Sequence, residues 1–331
     1  MKRLAAILAC LCSLGFADTK KILAPALSDS LIQQIQASTP GVRILKVRGP
    51  DIAREIEDAD AIIGGVSPEN FRRAKKLKWV HVMSAGVEKA LFPELIDSDV
   101  VVTNAKNVYG PQIADHAFAF LLALTRRLNV TIPKQHEEEW PPGRSGMFEL
   151  NGKTAVIIGV GGIGSQIAQR ANGFGMKVIG VDVRDYPPSN IVQRYVHPDM
   201  LDSVLPEADV VFVSAPHTKK SEGMMGPKEF ELMKKGSYFI AVSRGKIYSM
   251  DGLVKALDEG RLAGAGVDVT DPEPLPKGHP LWKFPNVVIT PHTAGGSDKL
   301  EERIDNLIKE NVRRFAAGLP LLNVVDKKEG Y

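Results

Sequence analysis

The chain has little cysteine and no apolar run long enough to cross a bilayer; its longest apolar run lies within the first 17 residues. Of its 331 residues two are cysteines, Cys10 and Cys12, and both lie within that first segment. Without the segment no disulfide can form, and no Cys/His cluster has the spacing of a zinc site. We therefore predict no disulfide scaffold, no bound metal and no membrane contact after processing.

Basic residues show little excess over acidic ones. The chain has 42 Lys and Arg against 39 Asp and Glu, a net charge of +3, to which Lys2 and Arg3 contribute. The densest basic run, residues 72–76, is typical of the solvated face of a short helix. Because nucleic-acid binding requires a clustered basic surface, we exclude a nucleic-acid partner.

The first 17 residues have the pattern of a secretory signal peptide. Lys2 and Arg3 precede an apolar run over residues 4–14, and small residues at 15 and 17 suit a cleavage site. The run is too short to span a bilayer. We expect a secreted or secretory-pathway protein if residues 1–17 are cleaved, and a cytoplasmic one otherwise.

After residue 19, short β-rich runs alternate with amphipathic segments of helical length. This alternation predicts parallel sheets covered by helices on both faces, and 331 residues are enough for two domains. Strands are predicted over residues 21–26, 42–47, 61–66, 79–84, 100–104, 154–158, 177–182, 210–215, 238–242, 264–269 and 287–290. Helices are predicted over residues 30–37, 50–58, 68–76, 90–96, 110–129 and 299–317, and the 110–129 helix is apolar on most sides.

A glycine turn follows the strand predicted over residues 154–158 and opens a helical segment. Gly159, Gly161 and Gly164 form a G-x-G-x-x-G pattern between that strand and the helix, as a dinucleotide site requires. The first glycine permits the tight turn, the second lets the backbone approach a pyrophosphate, and the third lets helix and strand pack closely. The positive end of the helix dipole then favours the phosphates.

Asp182 ends the next predicted strand, about 20 residues after the turn, where a carboxylate can accept hydrogen bonds from the ribose hydroxyls. The same carboxylate repels a 2′-phosphate, so NAD is predicted and NADP is disfavoured. Arg184 stands two residues further on and would soften that preference. The alternative to a dinucleotide site is a glycine-rich turn in an ordinary α/β protein.

Three further strand ends carry groups able to hold an acid or move a proton. They are Arg244, the acidic loop 268–274, which includes Glu273, and His292. In parallel sheets ligands bind outside the carboxyl ends of the strands, so these groups are expected near the nicotinamide. A histidine can exchange the alcohol proton, a neighbouring carboxylate stabilises the imidazolium, and a guanidinium grips a carboxylate with two hydrogen bonds.

These motifs together resemble the D-isomer-specific 2-hydroxyacid dehydrogenase family, which includes glyoxylate/hydroxypyruvate reductases and phosphoglycerate dehydrogenases. The resemblance covers about residues 20–320, with the motifs in the family's order. It implies Arg244 as the substrate binder, Glu273 as the partner of the histidine and His292 as the general acid/base. It also implies a small 2-oxo or 2-hydroxy acid as substrate.

The resemblance extends to binding residues and to architecture. It implies a Rossmann nucleotide domain, residues 105–296, inserted into a flavodoxin-like substrate domain, residues 18–104 plus 297–331. It further implies a homodimer built around the 110–129 helix. The cofactor-binding residues implied are Gly159, Gly161, Gly162, Ile163, Gly164, Asp182, Ala215, Val242 and Asp268. The backbone of Ala85, Gly86 and Val87 is expected to face the substrate carboxylate.

The sequence therefore predicts an NAD-dependent oxidoreductase that interconverts a 2-oxo acid and a D-2-hydroxy acid. The main alternative is an NAD-gated corepressor-like binding protein on the same scaffold, which should carry no export leader. A second alternative is a formate-dehydrogenase-like hydride transfer. Formate has no hydroxyl proton to remove, so that reaction does not call for the His292–Glu273 pair.

Overall fold

The computed structural model describes residues 19–140 and 145–331. The predicted signal peptide, residues 1–17, lies outside the described residues. The described chain folds into two α/β domains, each built on a wholly parallel sheet. The predicted fold class is confirmed, whereas the exact domain limits given above stay a prediction.

The first domain contains a five-stranded sheet in the order β2-β1-β3-β4-β5, which is the flavodoxin-like order. The strands are β1 Lys20–Leu23, β2 Val42–Leu45, β3 Ala61–Ile63, β4 Trp79–Val82 and β5 Val101–Asn104. The five strands alternate along the chain with four helices: α1 Asp29–Ser38, α2 Pro50–Glu55, α3 Pro68–Arg73 and α4 Pro93–Ile96.

The last helix returns to this first sheet. Helix α11, Leu300–Ala317, buries Ile308 and Val312 against Ile22 and Trp79 of the sheet. After α11 the chain runs beside β5, where the Val325 N–H donates to the Val102 carbonyl. Both ends of the described chain therefore belong to the same hydrophobic core.

The second domain contains seven strands in the order β12-β11-β10-β9-β6-β7-β8, the Rossmann arrangement with one added strand. The strands are β6 Thr154–Ile158, β7 Lys177–Val181, β8 Arg194–Val196, β9 Val210–Val213, β10 Ser237–Ala241, β11 Leu262–Val267 and β12 Val287–Ile289. Edge strand β8 was not predicted, because only three residues pair and none of them is buried.

Helices cover both faces of this sheet. One face packs against α5 Gly110–Thr125 and α7 Gly162–Gly173, and the other against α8 Leu201–Val204, α9 Pro227–Leu232 and α10 Met250–Asp258. Because both faces are buried, the central strands are apolar throughout, as parallel strands usually are.

The helix predicted over residues 110–129 is in fact two helices. Helix α5 ends at Thr125, whose carbonyl accepts a hydrogen bond from the Phe148 N–H, and Arg127 adopts a left-handed conformation (φ 59°). Helix α6, Leu128–His136, follows this break and buries none of its side chains. Apolar periodicity could not reveal this break, because neither glycine nor proline marks it.

Except for the strands predicted to end at residues 104 and 158, the predicted strands also extend too far at their carboxyl ends. Their last residues turn out of the sheet and form the loops of the cleft described below. Across residues 19–140 and 145–331, no helix combines the length and the apolar character needed to cross a membrane.

Candidate active site

The predicted site residues lie at the carboxyl edges of the two sheets. The loop at residues 84–88 follows β4, and the glycine turn follows β6. Arg244 follows β10, Asp268 follows β11 and His292 follows β12. Parallel strands place their following loops at one edge of a sheet, which is where ligands of such folds bind.

Each glycine of the turn meets a different steric demand. Gly159 has φ +86°, and a Cβ there would lie 2.4 Å from the Cα of Ala215. A Cβ on Gly164 would lie 1.9 Å from the Gly159 carbonyl oxygen, so helix α7 can approach the strand only without a side chain. Gly161 is different, since its nearest such neighbour is an Arg184 nitrogen at 3.9 Å. Space therefore remains above Gly161, whereas the other two glycines are packed.

The backbone of the turn offers free hydrogen-bond donors. Within the described part of the chain, no group accepts from the N–H of Gly161, Gly162 or Ile163 at the start of the 12-residue helix α7. Unpaired N–H groups at a helix N-terminus, with open space above them, suit the phosphates of a dinucleotide. The residues present therefore fit a nicotinamide dinucleotide.

Asp182 is buried directly after β7, and both of its carboxylate oxygens accept hydrogen bonds. One carboxylate oxygen accepts from the Val160 N–H at 2.8 Å, and the other accepts from Nε of Arg184 at 2.9 Å. Burial by itself raises the pKa of Asp182, but the hydrogen bonds from Arg184 and Val160 outweigh burial and hold the pKa below its usual value. The Asp182 carboxylate is thus an anion that is paired, on its solvent side, with the Arg184 guanidinium.

Arg184 also lies over the ring of Tyr186, 5.0 Å from the ring centroid. Its side chain is about half exposed, so it contacts Asp182 from the solvent side. Ala215 and Val242, which were expected to line the cofactor, are both buried, and Ala215 lies against Gly159 of the turn.

His292 and Glu273, which are 19 residues apart in sequence, are in contact. Nδ1 of His292 lies 2.9 Å from Oε2 of Glu273, and the other carboxylate oxygen accepts from the Thr270 N–H at 3.1 Å. His292 has φ +55°, a left-handed conformation held by its N–H, which donates to the Asp268 carbonyl. Nε2 of the imidazole is left clear of the carboxylate.

Asp268 anchors the loop that carries the imidazole. Its buried carboxylate accepts hydrogen bonds from the hydroxyl of Thr290 and from the N–H groups of Thr293 (2.8 Å) and Ala294 (3.0 Å). His116 on α5 extends the network, with Nε2 at 2.9 Å from the Thr290 hydroxyl. The predicted contact of Asp268 with the nicotinamide stays a prediction.

Arg244 is held beside the loop that was expected to bind substrate. Nη1 donates to the Ser243 carbonyl at 2.7 Å, and Nε donates to Oε1 of Glu88 at 2.7 Å. A Cβ on Gly86 would lie 2.2 Å from Nη2, so the guanidinium packs directly against that backbone. Among the described residues, nothing accepts from the N–H groups of Ala85, Gly86 and Val87.

The two halves of the site are packed together. A Cβ on Gly245 would lie 2.1 Å from the carbonyl group of Thr270, so the Arg244 turn rests on the loop that holds Glu273. The structure therefore links Arg244 to the His292–Glu273 pair through Gly245 and Thr270.

Three functional contacts were not predicted from the sequence. Glu88 pairs with Arg244, Arg184 pairs with Asp182, and His116 contacts Thr290. Two of them carried a signal in the sequence, since Glu88 is an acid that directly follows the substrate loop and Arg184 stands two residues after Asp182. In the described segments no group of three or more His, Cys, Asp or Glu residues could hold a metal ion.

Comparison with known proteins gives a consistent result. Residues 118–294 match the family model described as "D-isomer specific 2-hydroxyacid dehydrogenase, NAD binding domain". Glyoxylate reductase of Korarchaeum cryptofilum is 32% identical over 287 residues, covering 84% of this chain and 86% of the relative. Glyoxylate reductase of Thermococcus litoralis is 33% identical over 289 residues, covering 83% and 86%.

A solved structure agrees with these relatives. The D-isomer specific 2-hydroxyacid dehydrogenase of Xanthobacter autotrophicus Py2, solved in complex with NADPH and MES, is 27% identical and superposes with a TM-score of 0.78. The match covers 95% of this chain and all of the solved one. The chain is therefore an oxidoreductase that acts on the CH–OH group of 2-hydroxy acids and on the matching 2-oxo acids, and it belongs to the D-isomer-specific 2-hydroxyacid dehydrogenase family.

Proposed function

We propose that this protein reduces a small 2-oxo acid to the D-2-hydroxy acid with NADH, and that His292 is the general acid/base. The observation that carries the proposal is the 2.9 Å contact between His292 Nδ1 and Glu273, on a loop packed against the Arg244 turn. A carboxylate on Nδ1 stabilises the imidazolium and directs Nε2 to exchange protons with substrate.

The other residues bind and orient the acid. Arg244 presents Nη2 beside the free N–H groups of Ala85, Gly86 and Val87, which together form a site for a carboxylate. When bound, a nicotinamide cofactor supplies the hydride for the carbonyl carbon. His292 gives its proton to the developing alkoxide in reduction and takes it back in oxidation.

The proposed preference for NAD over NADP rests on the Asp182 carboxylate. A buried anion hydrogen-bonded to Val160 would repel a 2′-phosphate, whereas ribose hydroxyls could donate to it. Arg184 would have to leave Asp182 to meet a 2′-phosphate, and its exposure permits that movement. We therefore expect measurable but weaker use of NADPH, the cofactor bound in the Xanthobacter structure.

The substrate class is tested by a panel of oxo acids. Purified protein is assayed for oxidation of NADH and NADPH with glyoxylate, hydroxypyruvate, pyruvate and a bulkier oxo acid. The names of the relatives favour glyoxylate, so we expect it or hydroxypyruvate to give the highest kcat/KM, with NADH preferred. No turnover of any oxo acid with either cofactor would contradict the proposal.

The alternatives are distinguished by the same assay. A corepressor-like protein should bind NADH with negligible flux, and the comparisons with curated relatives do not favour it. A formate-dehydrogenase-like enzyme should reduce NAD with formate and should not need His292, because formate carries no hydroxyl proton.

Two further expectations belong to this proposal. We expect a homodimer built around the 110–129 segment, and three large apolar side chains exposed at its end and beyond support this: Leu128 (42%), Ile132 (50%) and Trp140 (96%). Light scattering at the mass of two chains would support the dimer.

Cleavage of residues 1–17, and hence export, is tested by N-terminal sequencing of the protein as isolated.

A further inference from the structure

Glu88 is an acidic side chain beside a site expected to bind an acid, which is electrostatically unfavourable unless it has another task. It follows the substrate loop of the first domain, and its Oε1 accepts from Nε of Arg244, which belongs to the second domain. Both side chains are about two-thirds buried or more. The pair therefore bridges the cleft where substrate is proposed to bind.

The contact uses the part of the guanidinium that substrate does not need. Glu88 accepts the hydrogen bond from Nε of Arg244, and the Ser243 carbonyl accepts one from Nη1. Nη2 is left beside Gly86, next to the free N–H groups of the substrate loop. A planar guanidinium fixed at two of its three nitrogens has a defined orientation, so the remaining edge is aimed before substrate arrives.

Glu88 is itself fixed and charged. A Cβ on Gly86 would lie 2.5 Å from Glu88 Oε2, so the carboxylate is seated against the loop backbone. Burial alone raises the pKa of Glu88, but the hydrogen bond from Arg244 and its positive charge hold the pKa below the usual value. His217 lies close enough to Glu88 to lower its pKa as well.

We infer that Glu88 is a positioning residue that orients Arg244 for the substrate carboxylate. The inference rests on the proposed function. It differs from a purely structural ion pair, which would join the domains without affecting how the acid binds. Buried or half-buried ion pairs often contribute little net stability, which makes an orienting role the more specific explanation.

Two substitutions separate orientation from stability. Glu88→Ala removes the acceptor for Nε, whereas Glu88→Gln keeps an acceptor oxygen of nearly the same shape and removes the charge. Glu329→Gln is the matched control, because Glu329 makes an exposed ion pair with Lys220, 2.8 Å long, outside the site. The measurements are kcat and KM for the best oxo acid, the Kd of NADH, the Kd of oxalate for the enzyme–NADH complex, and the Tm.

We expect Glu88→Ala to raise the KM of the oxo acid and the Kd of oxalate about tenfold or more, the usual cost of losing a hydrogen bond to a charged group. The Kd of NADH should stay near the wild-type value. Glu88→Gln should bind oxalate about as tightly as wild type and recover most of kcat, and Glu329→Gln should change neither.

The inference is overturned if Glu88→Ala lowers only the Tm and leaves oxalate binding and KM unchanged. It is equally overturned if Glu88→Gln binds oxalate as poorly as Glu88→Ala. If wild-type protein reduces no oxo acid, the proposed function fails, but oxalate binding to the three variants still tests whether Glu88 orients Arg244.

Discussion

Asp268 is the residue on which the geometry of the His292 loop depends most. A single buried carboxylate accepts from Thr290, Thr293 and Ala294, while its own backbone carbonyl accepts from His292. Hydrogen bonds to an ionised acceptor are roughly twice as strong as neutral ones, so they can hold a left-handed residue that would otherwise relax. The imidazole is therefore placed by its backbone as well as by Glu273.

His81 is a second buried polar residue, and it makes stability depend on pH. It is fully buried in β4, with Nδ1 bonded to the Thr103 hydroxyl and, among the described residues, no partner for Nε2. Burial lowers the pKa of His81 from 6.5 to about 4. In the unfolded chain His81 is therefore protonated below about pH 6.5, whereas in the folded chain it is protonated only below about pH 4.

We predict that the free energy of unfolding contributed by this residue is complete above about pH 6.5 and is lost as the pH falls toward 4. Between about pH 7 and pH 5 the loss should be about 2 kcal/mol. Urea unfolding at both pH values, compared with His81→Phe, checks this. Equal pH dependence in the two proteins would show that His81 does not titrate in this way.

The glycine turn and helix α7 illustrate how one short element serves both folding and binding. Gly159 and Gly164 are needed because backbone lies against them, whereas Gly161 faces open space. Gly110 adds to the packing, since a Cβ there would lie 2.4 Å from the Gly162 carbonyl oxygen and would separate α5 from α7. Glycine is therefore present at the different positions of this one motif for different physical reasons.

We predict that Gly164→Ala and Gly161→Ala fail in different ways. Gly164→Ala should lower the free energy of unfolding by about 1–3 kcal/mol, because its methyl group would overlap the Gly159 carbonyl. Gly161→Ala should leave the Tm unchanged but weaken NADH binding about tenfold or more, equivalent to about 1.4 kcal/mol. Calorimetry and fluorescence titration of both variants provide the check, and identical defects would contradict the distinction.

The molecule as a whole consists of two parallel sheets whose carboxyl edges supply the loops of one site. Polar links join the two domains, among them the Arg244–Glu88 and Lys220–Glu329 pairs. Helix α11 closes the arrangement by returning the chain to the first sheet. Groups from distant parts of the sequence thereby come together around the space for substrate and cofactor.

Much of this could be predicted from the sequence, because buried parallel strands are apolar runs and glycine turns have a fixed spacing. The 154–158 strand was predicted to the residue, and the resemblance led to the contact between His292 and Glu273. The break after Thr125, strand β8 and the partners of Asp182 and Arg244 were missed. Apart from the Asp182–Arg184 pair, which joins residues two apart, these depend on tertiary contacts, which no local pattern encodes.

The most direct test of the central claim is single-turnover reduction of the best oxo acid by enzyme-bound NADH in His292→Ala. We predict that the variant binds NADH as tightly as wild type and that the rate of reduction falls about 10²–10⁴-fold, the usual contribution of a positioned general acid. A rate equal to that of the wild type would contradict the assignment of His292 and, with it, the catalytic role of the Glu273 pair.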